Sequence, residues 1–288
     1  MRKIREFIIE KLILLSGLAS ILFVLLIFVF LFKEGISLFR VTSLWDFLSG
    51  ENWYPISDPP KFGILPLILG SIVVTITAAI ISVPISIACA FYIAEIAKGW
   101  TKETLKAGVE LLAAIPSVVI GFIGMVTIVP FVRQIFDLPT GLTALTGAIT
   151  LAFMAIPTIV SISEDAITAV PKQYKEAALA LGATKWQAMY RVVFHAAIPG
   201  IAAAIMLGIG RVIGETMAVM MITGNAAVIP KSIFRPVRTL TATVAAEMGE
   251  TVQGSPHFYA LFLIGIVLFA ITFLINLTAD IFLRKIKR

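Results

Sequence analysis

Charged side chains are scarce in this sequence. Asp, Glu, Lys and Arg together make up 14% of the 288 residues, whereas 59% of the residues are hydrophobic. Ordinary soluble domains carry roughly a quarter charged residues, so this composition excludes that class of protein. Cysteine is almost absent as well, because Cys89 is the only one and lies inside an apolar run. A disulfide framework is therefore excluded, and a redox role is disfavoured.

Motifs for catalysis are also missing. No Gly-Lys dipeptide occurs, which excludes the phosphate-binding loop of ATPases, and neither H-E-x-x-H nor G-x-S-x-G is present. His195 and His257 lie far apart in the sequence and lack the spacing of metal ligands. The sequence therefore predicts that this chain is not an enzyme, has no catalytic residue, and holds no cofactor or metal of its own.

Long apolar stretches are the main feature of this sequence. They lie at 12–32, 64–94, 111–132, 138–163, 192–230 and 258–279. Each is long enough to cross a hydrocarbon core of about 30 Å as a helix that rises ~1.5 Å per residue. Their apolar residues do not alternate with polar ones, as those of barrel strands do. The sequence predicts an all-α integral membrane protein with about six transmembrane helices.

The first stretch follows a basic start and so imitates a secretory signal. Its apolar run at 12–32 is longer than the roughly 7–15 residues of a signal core, and no small-residue cleavage site follows. We therefore interpret it as an uncleaved anchor. The sequence then divides into residues 1–62, an N-terminal anchor helix and an external loop, and residues 63–288, the transmembrane core.

The orientation follows from the distribution of Lys and Arg between the apolar stretches. An amino terminus in the cytoplasm puts fifteen of these residues on the cytoplasmic side and seven on the opposite side. Because cytoplasmic loops are enriched in Lys and Arg, both termini are predicted to be cytoplasmic in a bacterial or archaeal inner membrane. This bias and contact with anionic membrane lipid account for the net charge of +6, so no binding of nucleic acid is predicted.

The cytoplasmic segment 164–191 predicts two short helices that meet at a corner. Pro171 suits the first turn of a helix, and the residues that follow it are apolar at the spacing of one helix face. Gly182 can take the left-handed conformation that ends a helix. Thr184 and Gln187 have the spacing of a capping box, which starts the next helix. A generic surface helix explains the periodicity, but it explains the cap and the corner less well.

Glu176, Ala177 and Ala178, followed by Gly182, resemble the E-A-A loop of bacterial ABC importer permeases. In that family the loop forms the coupling helix, which sits in a cleft of the ATPase subunit. The resemblance implies a coupling helix at about 171–183, where the small alanines leave room for close approach. This chain departs from the family pattern further on, with Phe194-His195 in place of Leu-Pro.

A second resemblance concerns GRVIGETMAVMMITGN at 210–225 and RPVRTLTATVAAEMGE, which begins at Arg235. Both segments are similar to the C-type (PstC-type) permease subunits of phosphate ABC importers. This resemblance implies a type I importer bundle that moves inorganic phosphate inward by alternating access. It also implies three partners: a homologous A-type permease, an ATPase dimer that uses ATP and Mg, and an external phosphate-binding protein.

Arg211 and Glu215 are the only charged residues between positions 192 and 230. A charge in hydrocarbon costs from about 3 to above about 10 kcal/mol, so both side chains need partners. In a continuous helix their spacing places them on one face, where a salt bridge is feasible. We predict that they line the translocation path with Thr216, and that the planar fork of Arg211 engages an anion.

Gly210 and Gly214 form a G-x-x-x-G pattern, which predicts close packing against another helix. The sequence leaves several alternatives open. The charged pair can serve only to hold the bundle together, or the chain can be a permease for another oxyanion. An ion-coupled secondary transporter that uses Glu215 is a further alternative, and a purely structural scaffold is the weakest because it has no use for buried charges.

Overall fold

The structure of the protein, a computed structural model, describes residues 2–286; the side chains of residues 2–5, 279 and 282–286 lie outside the description. The described chain is mainly helical and has one antiparallel hairpin, formed by β1 (Trp53–Tyr54) and β2 (Lys61–Phe62). Its α-helices are α1 (Arg2–Gly35), α2 (Leu44–Ser49), α3 (Leu65–Phe91), α4 (Trp100–Ala114), α5 (Ser117–Ile123), α6 (Val129–Ile135), α7 (Ala144–Thr168), α8 (Lys172–Ala180), α9 (Lys185–Gln187), α10 (Phe194–Gly214), α11 (Met217–Ile222), α12 (Leu240–Glu247) and α13 (Pro256–Ile286).

Wider or tighter helical turns continue several of these helices. A 3-10 turn, Ile36–Arg40, follows α1. Three π-helical segments, Tyr92–Ile96, Gly124–Ile128 and Ala188–Val193, follow α3, α5 and α9. The helices therefore join into longer rods that keep their backbone hydrogen bonds, which a lipid environment requires.

In the described part of the chain, six segments are long and apolar enough to cross a membrane, which confirms the predicted number. They are Glu6–Arg40, Leu65–Ile96, Ser117–Ile135, Ala144–Thr168, Lys185–Gly214 and Pro256–Thr278. Large apolar side chains such as Leu22 and Ile80 remain exposed on these segments. Such exposure suits a surface in contact with lipid rather than water.

The third predicted stretch starts later than expected. Helix α4 ends at Ala114, and Ile115 takes an extended conformation with ψ 127°. The residue that precedes a proline is restricted in this way, and Pro116 follows directly. The spanning segment therefore begins at Ser117 rather than at position 111. Helix α4 is a separate helix, which the sequence analysis did not identify.

The span predicted in the apolar stretch 192–230 does not continue as one helix beyond Gly214. Helix α10 ends there, and Glu215 is extended, with φ −68° and ψ 132°. A short helix, α11, follows, and the chain then forms a loop from Thr223 to Thr239 before α12. Hydropathy could not reveal this end, because the residues on both sides of it are mostly apolar.

Helix α7 is the centre of the bundle. In its most apolar window 61% of the residues are buried, against 0% for α1, which packs on α13 at the periphery. Glycine allows the central helices to approach closely: Gly208 of α10 lies against Ile159 of α7, and Gly147 of α7 lies against Thr223. Small residues at helix contacts are typical of membrane bundles.

We name the two ends of the bundle by their landmarks. The hairpin end carries β1, β2 and the starts of α3, α7 and α13, and the 223–239 loop also lies there because Ala144 N donates to Arg235 O at 3.0 Å. The α8 end carries α4, α8 and the ends of α3 and α7. At the hairpin end, Phe47 and Trp53 share one buried cluster with Leu240 and Leu261. The segment before α3 is thereby fixed to α12 and α13.

Candidate translocation path and coupling surface

The end of α10 and the start of α11 form a break in the bundle. At this break Thr216 Oγ1 donates to Gly214 O at 3.1 Å. The carboxylate of Glu215 accepts a hydrogen bond from Ala218 N, with 3.3 Å between Oε1 and the nitrogen. The first N–H groups of a helix lack partners within the helix, and a negative charge there is stabilised by the helix dipole. Glu215 thus caps α11.

Arg211 and Glu215 do not form the salt bridge that their spacing suggested. Among the described residues, no ion pair joins them. Arg211 instead donates from Nη1 to Thr158 Oγ1 of α7 at 3.1 Å. The geometric reason is that α10 ends at Gly214, so the two residues no longer lie one turn apart on a continuous helix.

Arg211 lies about midway along the length of the bundle, beside Thr158 of α7. Helix α7 has 25 residues, so it is about 37 Å long and Thr158 lies roughly 21 Å from its first residue. The Arg211 side chain is exposed in this chain, and its neighbour Leu207 one turn earlier is exposed as well. Thr158 is neutral, and among the residues that the structure describes no carboxylate forms an ion pair with this guanidinium.

Gly210 and Gly214 lie beside Arg211 on an open surface. A Cβ atom added at either position would meet nothing within 4 Å in the described chain. The predicted close packing against another helix therefore does not occur within this chain, and it stays a prediction that concerns a second chain. Gly210, Arg211 and Gly214 form an open stripe, and Arg211 is the predicted path residue that lies on it.

The backbone of the break is held from α12. Thr241 Oγ1 donates to Glu215 O at 2.8 Å. The small cavity at the break is lined by apolar side chains such as Leu151 and by polar ones, including Thr75 of α3 and Thr239, the residue before α12. The sequence analysis did not identify Thr158 or Thr241, because threonines are common in apolar spans and only the fold brings these two to the break.

The predicted coupling helix is present as α8. It contains no buried residue; Glu176 and Ala177 are exposed, and Leu181 just after the helix is 91% exposed. Gly182 has φ +86°, as a left-handed helix end requires. The capping box at the start of α9 is also present. The local structure is therefore as predicted, whereas the docking role of Glu176, Ala177, Ala178 and Gly182 stays a prediction.

Ion pairs of two acidic residues, Glu95 and Glu164, connect the α8 end to the spans. Lys175 of α8 pairs with Glu95 in the π-helical segment that follows α3. In α7, Glu164 is only 3% exposed and accepts from Lys106 of α4 at 2.8 Å, with Lys102 at 3.3 Å. The hydrogen bond to Glu164 raises the pKa of the Lys106 ammonium above its ordinary value, so this lysine keeps its charge near neutral pH.

Comparison with known proteins places the chain in a family. Residues 82–288 match the binding-protein-dependent transport system inner membrane component family. The probable ABC transporter permease protein YqgH of Bacillus subtilis (strain 168) is 43% identical over 248 residues, which cover 85% of this chain and 80% of that protein. The phosphate transport system permease protein PstC of Mesorhizobium japonicum is 36% identical over 261 residues, which cover 84% of this chain and 79% of that protein.

A solved structure shows the same fold. It is a bacterial ABC transporter involved in the import of the acidic polysaccharide alginate, and it aligns with a TM-score of 0.65 at 15% identity, covering 100% of both chains. The importer-type helical bundle and the family resemblance predicted from the sequence are thus confirmed. The chain belongs to the binding-protein-dependent transport system inner membrane components and is a multi-pass, PstC-type permease subunit of an ABC importer.

Proposed function

We propose that this chain is one permease half of an ATP-driven importer that moves inorganic phosphate inward across the cell membrane. The observation that carries the proposal is the exposed guanidinium of Arg211, which lies midway along an apolar bundle and has no ion-pair partner among the described residues. The substrate class comes from relatives named as phosphate transport permeases, which are 32–36% identical to this chain. The guanidinium of Arg211 and the names of these relatives both support an anionic substrate.

Arg211 suits phosphate because of its shape and its neighbours. A guanidinium presents several N–H donors in one plane, which matches two phosphate oxygens at once. The hydrogen bond to Thr158 uses Nη1, so other donors on the same fork stay available to an anion. Glu215 accepts from Ala218 N, and among the described residues no ion pair joins it to Arg211. In this proposal Glu215 and Thr216 shape the path, and Arg211 attracts the anion.

Partners complete the proposed transporter. An A-type permease covers the open stripe at Gly210 and Gly214, and an ATPase dimer receives α8 and uses ATP and Mg. An external phosphate-binding protein delivers the anion at the hairpin end. In alternating access, closure of the ATPases moves α8, and its ion pair with Glu95 links that motion to α3.

Reconstitution tests this function directly. We expect the complete complex in vesicles to take up labelled phosphate when ATP and the loaded binding protein are supplied, and to take up little when either is omitted. Labelled sulfate, offered with its own binding protein, serves as the comparison. Uptake of sulfate but not phosphate would identify a permease for another oxyanion, and uptake driven by an ion gradient without the ATPase would identify a secondary transporter.

The proposed orientation puts the α8 end and both termini in the cytoplasm. We expect a cysteine that replaces Glu51, exposed at the hairpin end, to react with an impermeant thiol reagent added to intact cells. A cysteine that replaces Lys172 of α8 should react only after the membrane is opened. A Cys89→Ser background removes the native thiol. Labelling of both positions in intact cells, or of position 172 alone, would contradict this orientation.

A further inference from the structure

Four segments of the hairpin end meet at the carboxylate of Glu247, in the last turn of α12. Trp53 Nε1 donates to Glu247 Oε2 at 3.1 Å, and Arg238 Nη1 donates to Oε1 at 2.5 Å. His257 Nε2 lies 2.8 Å from Oε2. Arg238 also donates from Nε to the backbone and side-chain oxygens of Asn225, both at 3.0 Å. A half-buried network of this kind fixes the relative positions of the segments that contribute to it.

The other end of α12 is fixed to the break. Thr241 Oγ1 donates to Glu215 O, and Leu240 N donates to Ser71 Oγ of α3 at 3.0 Å. Thr239 caps the helix by accepting from Ala242 N. The whole first turn of α12 is buried. A displacement of α12 must therefore move the backbone beside Glu215 or break these hydrogen bonds.

Helix α12 is short enough to act as a stiff link. Its eight residues span about 12 Å, and a helix of this length does not bend without a proline or a bulge. One end touches the backbone of the predicted path, and the other end touches a cluster at the hairpin end. Glu247, Trp53 and His257 have no role in the transport step proposed above.

A cleft of about 900 Å³ opens beside Glu247. Its walls are residues 53–57 on one side and the segment 246–257 on the other. Exposed apolar side chains, Ile56 and Val252, stand next to acidic Glu250. Apolar groups that remain exposed within a polar rim are typical of a protein-binding site. The family itself is defined by dependence on a binding protein.

We propose that Glu247 is a positioning residue through which α12 couples docking in this cleft to the break in the path. The occupant is the external binding protein, through a surface that pairs an apolar side chain with basic groups. Docking displaces the Glu247 cluster, and α12 transfers the displacement through Thr241 to the backbone of Glu215, next to Arg211. This inference rests on the proposed function, because it requires delivery of the anion by a binding protein.

Labelling at the break tests the coupling. In a Cys89→Ser background, Met217→Cys places a thiol at the exposed first residue of α11. In the complete complex in vesicles, we expect the loaded binding protein to change the rate of labelling by a water-soluble maleimide about fivefold or more, the lower end of ordinary coupling between sites. Glu247→Gln, which keeps the size of the side chain, should abolish this change while ATPase activity without binding protein is retained.

The second variant acts at the opposite end of the link. Thr241→Val keeps the shape of the side chain and removes the hydrogen bond to Glu215 O. It should abolish the same change in the rate of labelling. This variant therefore tests the coupling through α12 even if the Glu247→Gln complex does not assemble. The matched control is Glu51→Gln, the same chemical change at an exposed position of the hairpin end that does not line the cleft, and it should respond as the parent does.

The outcomes separate this inference from the function on which it rests. If the parent complex takes up no phosphate, the proposed function and the inference fail together. If the parent takes up phosphate but Glu247→Gln and Thr241→Val respond to the binding protein as the parent does, only the inference fails. Loss of the response in both variants with a normal response in Glu51→Gln supports it.

Discussion

Replacing Arg211 with Gln is expected to abolish phosphate uptake while the complex still assembles. Gln keeps a donor toward Thr158 Oγ1 but loses the charge and the fork. Two charge-assisted hydrogen bonds to an anion together contribute about 3 kcal/mol, so uptake should fall by about 100-fold or more. Uptake of labelled phosphate, measured beside the yield of purified complex, checks this expectation.

Two control variants separate charge from packing. Arg211→Lys keeps the charge but presents a single point donor, so partial uptake is expected. Thr158→Val removes the neutral partner and should leave uptake close to that of the parent, because the anion and not Thr158 is the partner that matters for transport. If Arg211→Gln transports normally, or if Thr158→Val fails as completely as Arg211→Gln does, Arg211 does not line the path.

Exchanging Arg211 and Glu215 distinguishes the observed geometry from a simple ion pair. In a continuous helix the exchanged residues would still pair and assembly would recover. In the structure, the exchange puts a cation at the start of α11, where the helix dipole opposes it, and removes the acceptor for Ala218 N. We therefore expect the exchanged variant to lose both assembly and uptake. Full assembly of this variant would contradict the observed break.

Replacing Ala177 with Arg is expected to uncouple transport from ATP hydrolysis. Ala177 is exposed on α8, and in the proposed complex it lies in a cleft of the ATPase. Forcing a large side chain into a packed contact costs about 1–3 kcal/mol, which lowers the affinity by roughly 5- to 150-fold. Pull-down of the ATPase and uptake should both fall, and membrane insertion should not. The matched control is Ala107→Arg, the same substitution on exposed α4.

Gly182 gives an independent test of the same surface. Its φ of +86° strains any residue with a Cβ atom, and a β-branched residue most of all. Gly182→Val should misplace the corner between α8 and α9 and reduce ATPase pull-down, whereas Gly182→Asn should retain it because Asn tolerates this conformation. Equal pull-down by parent, Ala177→Arg and Gly182→Val would refute the assignment of α8 as the coupling helix.

Local signals in the sequence were sufficient for α8 and its corner. Gly182 and the capping box of Thr184 and Gln187 each act within a few residues, so their geometry does not depend on the rest of the fold. The number of spans was equally predictable, because the length that each one needs is imposed by the bilayer rather than by specific contacts. Both features could be predicted from a single sequence for that reason.

The break at Glu215 could not be predicted in this way. Its stability depends on Thr241, 26 positions later, and the position of Arg211 depends on Thr158, 53 positions earlier. Hydropathy reports neither contact. The same holds for Glu164, whose partners Lys102 and Lys106 lie on a helix that the apolar pattern did not mark. Features of this kind arise from tertiary packing and require the fold.

The exposure of Arg211 also bears on the fate of a subunit that has no partner. A lone copy would present its guanidinium and the bare glycines beside it to hydrocarbon, at a cost of about 3 kcal/mol or more. Assembly removes that cost when the partner chain and the path cover the stripe. Arg211, which is proposed to attract the anion, would thus also destabilise a subunit that has not assembled. Subunits made in excess of their partners are therefore expected to be unstable in the membrane and to be degraded.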